Sequence, residues 1–227
     1  PGGEIRPGAG VLEAQVVRSQ GIPQSLVTHA ERSGWTELTP HEALVGFYEE
    51  LARLSPHVRM REIGKSREGR PLHLVTVADP AVAEPWEAHA SGKPIVFIGA
   101  SVHGNEPAGK EGLMLFAREL AFGAAQDLLE GAVFVFMPQI NPDAGEAGDG
   151  GTRANPAGYN VNRDYARLRN PESRALVEEI LTPWMPHVTV DAHELTGAHA
   201  YDFYALHPSH LATPEPVREM AAGPATD

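Results

Sequence analysis

The chain of 227 residues is long enough for a large domain with a substantial core. Its 30 acidic and 18 basic side chains argue against general binding to nucleic acid or anionic membranes, and no apolar run reaches the roughly 18 residues of a membrane span. It has no cysteine, which excludes disulfides, thiolate metal ligands and cysteine nucleophiles. No signal peptide is visible, so the sequence indicates no compartment.

Hydrophobic periodicity predicts strands and helices that alternate along the chain. Residues 1–37 show little periodicity and are predicted to be an N-terminal extension of a domain over 38–227. Two helices are expected to open at prolines, with Thr39 as the N-cap of the first and Pro107 beginning the second. The predicted helices cover 39–55, the stretch from 107 through 120, and 171–185, and the predicted strands cover 58–63, 72–77, 95–100, 132–137 and 188–192.

This alternation predicts an α/β fold with a mixed, mostly parallel central sheet covered by helices on both faces. On the helix that begins at Pro107, Lys110 and Glu111 are expected to lie on a solvated face. A long Gly- and Asn-rich stretch over 141–170 separates the fourth strand from the last helix, and loops of this length in compact domains are usually functional.

His103 and Glu106 follow the end of the predicted buried strand over 95–100. Ligands of open α/β sheets gather beyond the carboxyl ends of the strands, and an imidazole and a carboxylate three residues apart can bind one zinc ion. The plainer alternative is a loop in which Glu106 only favours the helix dipole.

His193 follows the strand over 188–192 and is expected at the same edge of the sheet. It is a candidate third ligand, with Asp191 or Glu194 orienting it from outside the metal shell. The alternative is a core histidine whose hydrogen bonds are satisfied by the protein.

Arg153, Asn162 and Arg163 lie in the long loop between the two candidate metal elements. Arginine suits the recognition of carboxylates and the stabilisation of an oxyanion. The alternative is a solvated surface of polar side chains.

Taken together, these motifs resemble those of the M14 zinc carboxypeptidases in order and placement. The resemblance covers about residues 38–200. It includes the loop Gly64–Arg70, which is similar to the loop before the sheet core in that family. The matching motifs are His103-Gly-Asn-Glu106, Asn141-Pro-Asp143, Arg153, Asn162-Arg163 and Asp191-Ala-His193-Glu194.

The resemblance implies a zinc metallopeptidase with an α/β/α sandwich fold. One Zn²⁺ ion is expected on His103, Glu106 and His193. Arg153 is expected to stabilise the tetrahedral intermediate, with Asn162 and Arg163 gripping the terminal carboxylate of a peptide or acylated amino acid. No partner protein is evident.

Some residues depart from the family pattern. Asn160 stands where Asp is usual, Glu194 where digestive members carry Ser, and Ala144 where Gly is usual. The family's general-base glutamate has no assigned match in residues 1–227, and we expect the chain to continue beyond Asp227.

Two other functions remain open from the sequence. An N-acyl-amino-acid amidohydrolase, similar to aspartoacylase or succinylglutamate desuccinylase, also uses His-x-x-Glu, a late His and an Asn-Arg pair. A non-catalytic zinc- or peptide-binding module is the third hypothesis, motivated by the unassigned glutamate.

Overall fold

The computed structural model describes residues 21–194 and 215–216. The chain divides into two compact units, 1–193 and 194–227, and the fold below is that of the first. The remaining residues, including most of the predicted 1–37 extension and the end of the 38–227 domain, lie outside the described part. Those domain boundaries therefore stay predictions.

Strands and helices alternate along residues 21–193. The strands are β1 (Val58–Lys65), β2 (Pro71–Val77), β3 (Ile95–Ala100), β4 (Val133–Met137) and β5 (Val188–Ala192). The α-helices are α1 (His29–Arg32), α2 (His41–Leu54), α3 (Pro85–Ala90), α4 (Ala108–Phe122), α5 (Pro142–Gly145), α6 (Pro171–Arg174) and α7 (Thr182–Trp184). A π-helix over Ala175–Leu181 joins α6 to α7, and 3-10 turns cover Gln24–Leu26, Gln126–Glu130 and Val161–Arg163.

The five described strands form one mixed sheet in the order β1-β2-β4-β3-β5. Strand β3 pairs in parallel with β4 and β5, whereas β2 is antiparallel to both β1 and β4. Four strands therefore run in one direction and β2 in the other, which confirms the predicted mixed, mostly parallel sheet. Because β3, β4 and β5 are parallel, the segments after them meet at one edge of the sheet.

Helices cover both faces of this sheet, as predicted. Along β4 the side chains alternate, so that Val133, Val135 and Met137 enter one core while Phe134 and Phe136 enter the other. Helices α2 and α4 pack on the phenylalanine side, and α3, the π-helix and α7 pack on the opposite side. Each fully buried apolar side chain contributes about 1.5–3 kcal/mol, so these two layers hold the strand ends in place.

The start of α2 differs from the prediction. Pro40 is the N-cap, and the side chain of Thr39 instead donates a hydrogen bond of 2.6 Å to Glu111. The expectation that Lys110 and Glu111 are solvated is wrong, since they are only 4% and 6% exposed. Local periodicity could not reveal this, because both side chains bond to Thr39, some 70 positions earlier.

The last predicted helix is also less regular than expected. Helix α6 widens into the π-helix, and the segment ends at Met185, whose φ of 40° is left-handed. Strand β5 follows at the edge of the five described strands, with Val188 and Val190 exposed. No described helix is both long and apolar enough to cross a bilayer.

Candidate metal centre

The loop after β3 forms a tight turn that presents two potential ligands. Ser101 has a φ of 51°, a left-handed conformation that is strained for a residue with a side chain. Its hydroxyl donates to the Glu106 carbonyl at 3.2 Å, and the Glu106 amide donates to the His103 carbonyl at 3.2 Å. These bonds close the loop, and both His103 and Glu106 are buried within it.

His193 reaches the same place from the end of β5. Its Nδ1 lies 2.7 Å from one carboxylate oxygen of Glu106, and Nδ1 of His103 lies 3.0 Å from the other. The two imidazole rings are 5.0 Å apart between centroids. Within residues 21–194 and 215–216 these three side chains form the one group of His, Asp or Glu residues able to share a metal ion, their ligand atoms lying within 4.8 Å of one another.

The donor set of this group fits zinc. Two imidazoles and a carboxylate are a common protein ligand set of catalytic zinc, and ligands at bond lengths of 2.0–2.1 Å in a tetrahedron lie roughly 3.3 Å apart. The observed separations of the ligand atoms, from 2.7 Å up to at most 4.8 Å, bracket that spacing.

Carboxylates on two sides of His193 favour positive charge at this position. Its Nε2 lies 3.0 Å from Asp191, and the hydrogen bonds with Asp191 and Glu106 raise the pKa of His193 to about 9. A cation held between Glu106 and His193 would replace that proton. Asp191 thus occupies the orienting position considered from the sequence.

Arg153 lies beside the candidate ligands, with its Nη1 donating to a carboxylate oxygen of Glu106 at 3.0 Å. The loop that carries it is fixed by backbone bonds from Asn105 to Thr152 and from Thr152 to Ala144. The side chain of Arg153 is 56% exposed. Its guanidinium is therefore open to solvent while remaining next to the candidate ligands.

Asn162 and Arg163 lie on the 3-10 turn over Val161–Arg163, which is capped by the side chain of Asn160. The side-chain nitrogen of Asn162 lies 3.3 Å from Nε2 of His193, so Asn162 contacts one of the candidate ligands directly. Arg163 is exposed, and its side chain donates a hydrogen bond to the carbonyl of Asn162. The structure thus links five of the six predicted site residues through a continuous set of contacts, with Arg163 beside Asn162 in the chain.

Asp143 is a supporting residue whose partners the sequence did not identify. It is buried and accepts hydrogen bonds from Ser66, the Glu68 amide and Arg70. The sequence does show the two motifs that contain these residues, which are Asn-Pro-Asp with Asp143 and the loop over 64–70 with Ser66. No local pattern signals that the two motifs meet.

The model of the zinc carboxypeptidase family matches residues 44–194, which is well over half of the chain. The chain belongs to the zinc carboxypeptidase family. It is 30% identical over 180 residues to Carboxypeptidase 2 of Trichophyton rubrum, covering 77% of this chain and 32% of that protein. It is 31% identical over 157 residues to Carboxypeptidase E of Caenorhabditis elegans, covering 62% of this chain and 32% of that protein.

Solved structures agree with this membership. A metallo-carboxypeptidase from Burkholderia cenocepacia matches with a TM-score of 0.54 and 27% identity, over 64% of this chain and 39% of that one. The carboxypeptidase A from Helicoverpa armigera matches with a TM-score of 0.61 at 19% identity, over 82% of this chain and 54% of that one, and supports the fold alone. The chain spans about a third of the length of the curated relatives named above.

Proposed function

We propose that this protein is a zinc-dependent metallocarboxypeptidase that hydrolyses a peptide bond near the C-terminal carboxylate of its substrate. The observation that carries the proposal is the convergence of His103 and His193 on the two oxygens of Glu106, at 3.0 and 2.7 Å. These three side chains would hold a single zinc ion.

The roles of the residues follow from their positions. A bound zinc ion lowers the pKa of its water to about 7 and polarises a carbonyl group. Arg153, which contacts Glu106, would donate to the oxygen of that carbonyl as negative charge develops. Asn162 and Arg163 would bind the terminal carboxylate, since Asn162 lies beside His193 and Arg163 presents an exposed guanidinium. The proposal assigns the general base to no residue of 1–227.

Metal analysis tests the ligand assignment. We expect one zinc per chain after incubation with zinc and dialysis, and loss of that zinc in Glu106→Gln and in His193→Ala. Asp149→Asn, an exposed carboxylate outside the group, serves as the matched control and should keep its zinc. Unchanged zinc content in both ligand variants, with circular dichroism showing folded protein, would contradict the assignment.

Two substrate assays test the reaction. Release of the C-terminal residue from a blocked peptide is expected, whereas an N-acyl amino acid such as N-acetylaspartate should not be cleaved. The carboxypeptidase names of the relatives favour the first substrate. Cleavage of the acyl substrate alone would support the amidohydrolase, and stoichiometric zinc without any hydrolysis would support the binding module.

A further inference from the structure

The segment over 150–174, which carries Arg153, Asn162 and Arg163, has an unusual surface charge. It contains two acidic residues, Asp164 and Glu172, which are only 5% and 0% exposed. Asp164 accepts from Ser173 and the Asn170 amide, and Glu172 accepts from the Arg67 amide. All exposed charges of the segment are therefore positive, although the protein has a net charge of −12. They are those of Arg153, Arg163, Arg167, Arg169 and Arg174.

Arg67, from the loop between β1 and β2, adds to this surface. Its guanidinium lies 5.0 Å from the centre of the Tyr159 ring and donates to the side chain of Asn170 at 3.3 Å. Arg67 thus contacts the segment on both sides of the turn that carries Arg163. We refer to Arg67, Arg163, Arg167 and Arg169 as the arginine strip.

The guanidinium groups of the arginine strip have no acidic partner among the described ion pairs. Other arginines of the same chain do have one: Arg53 pairs with Glu50, Arg70 with Asp143 and Arg118 with Glu31. An exposed guanidinium that forms none of the described ion pairs remains available to a ligand, and its planar fork matches a carboxylate with two parallel hydrogen bonds.

The strip adjoins the metal centre. Arg163 is the neighbour of Asn162, whose side chain lies 3.3 Å from His193. Tyr159, on which Arg67 stacks, lies three residues before Asn162 in the chain. The backbone of Tyr159 is held by hydrogen bonds with Asn155, which lies two residues after Arg153. A peptide whose terminal carboxylate binds Arg163 would therefore have its nearby side chains close to further arginines.

We infer that the preferred substrates are acidic peptides, which place side-chain carboxylates near the C-terminus against the arginine strip. This inference rests on the proposed function, because the terminal carboxylate sets the register of the peptide. The acidity of the whole protein does not oppose it, since charges more than about 8 Å away are largely screened at physiological ionic strength. The local strip therefore determines the interaction at close range.

Peptide binding tests the inference without requiring hydrolysis. Two peptides with a fluorescent N-terminal label would be compared, one ending Glu-Glu-Glu-Leu and the other Gln-Gln-Gln-Leu. With the zinc-incubated full chain, fluorescence anisotropy should give a Kd about tenfold lower for the Glu peptide at 0.1 M salt. At about 1 M salt, where the screening length is near 3 Å, the difference should shrink to about twofold.

Two variants test whether the arginine strip causes the tighter binding of the Glu peptide. In the double variant Arg67→Gln/Arg167→Gln the ratio of the two Kd values should fall to about two. Arg59→Gln is the matched control, because Arg59 is also exposed and forms none of the described ion pairs, but lies at the opposite end of β1 from Arg67. It should leave the ratio unchanged.

Equal affinity for the two peptides, or a ratio that the double variant does not change, would overturn the inference and leave the proposed function intact. Tighter binding of a single-stranded RNA of equal charge would also overturn it, in favour of a general polyanion site. Failure of the proposed function would show differently, as loss of zinc stoichiometry or of C-terminal residue release.

Discussion

Ser66 donates a hydrogen bond of 2.6 Å to Asp143, which lies 77 positions further along the chain. The carboxylate of Asp143 also accepts from the Glu68 amide at 2.9 Å and from Arg70 at 2.7 Å. The loop between β1 and β2 is thereby fixed to α5, the short helix that follows β4. Because α5 also packs against the loop with the metal-ligand candidates, this bond links three segments around the site.

Replacing Asp143 by asparagine should destabilise the protein substantially. Both oxygens of Asp143 face donors, so an amide NH₂ at one position would leave donors facing each other inside the protein. We expect the free energy of unfolding in urea to fall by about 2–4 kcal/mol. Glu68→Gln is the control, because Glu68 pairs with Arg70 at the surface, and its effect should stay below about 1 kcal/mol. Equal losses for the two variants would refute this account of Asp143.

Gly104 should be intolerant of any side chain. A Cβ at this position would lie 2.1 Å from the Ala144 carbonyl carbon and 2.3 Å from the Gly145 nitrogen, which are backbone atoms of α5 that cannot turn aside. In Gly104→Ala the loop that carries His103 and Glu106 must move. We expect zinc affinity, measured by competition with a chelator, to fall at least about tenfold.

Gly112 provides the matched glycine for this experiment. It lies on α4, is exposed, and a Cβ there would have no atom within 4 Å. Gly112→Ala should therefore raise the free energy of unfolding by about 0.5–1 kcal/mol, since alanine favours a helix over glycine. Zinc affinity should be unchanged. The same zinc affinity in both glycine variants would show that Gly104 does not set the loop geometry.

Glu111 should contribute strongly to stability. Its carboxylate accepts from the Thr39 amide at 2.7 Å and from the Thr39 hydroxyl at 2.6 Å, and it lies 3.7 Å from the Lys110 ammonium. Burial lowers the pKa of Lys110, so the ammonium needs this negative charge nearby. Glu111→Ala should lower the free energy of unfolding by about 3–5 kcal/mol and the Tm by roughly 10 °C.

Exposed Glu42 at the start of α2 is the control for Glu111. Glu42→Ala should change the free energy of unfolding by no more than about 0.5 kcal/mol. If calorimetry gave both variants the same Tm, the buried contacts of Glu111 would not be stabilising.

The ion pair between Glu31 and Arg118 should make stability depend on pH. Burial opposes ionisation of Glu31, but hydrogen bonds from Arg118 and Thr28 outweigh it and lower the pKa of Glu31 below its ordinary value of 4.5. A carboxyl group with a lowered pKa in the folded state stabilises the protein above its ordinary pKa. That stabilisation is lost as the pH falls through the lowered value.

Glu31→Gln measures this contribution. The wild-type protein should exceed the variant in free energy of unfolding by roughly 1 kcal/mol at pH 7, a modest value because the side chain is partly exposed. The gap should narrow steadily below about pH 4.5. A gap that stays constant from pH 7 to pH 3 would contradict the assignment of the lowered pKa to this pair.

The order of the elements and the positions of the candidate ligands follow from the amino-acid sequence alone. Apolar runs and three-to-four-residue periodicity reflect which faces are buried, so they predict β3, β4 and α4 from neighbouring residues alone. A motif directly after a parallel strand must lie at the carboxyl edge of the sheet. His103 and His193 were therefore predicted to meet, as they do in the structure.

Contacts between segments distant in sequence emerge only in the folded chain. Whether Glu111 is buried depends on Thr39, and whether Arg67 joins the surface beside Arg163 depends on Tyr159 and Asn170. Local periodicity reports the environment of a side chain relative to its own helix or strand, whereas charged side chains are buried only where a partner from another segment satisfies them. The buried carboxylates and the arginine strip are for that reason properties of the folded chain.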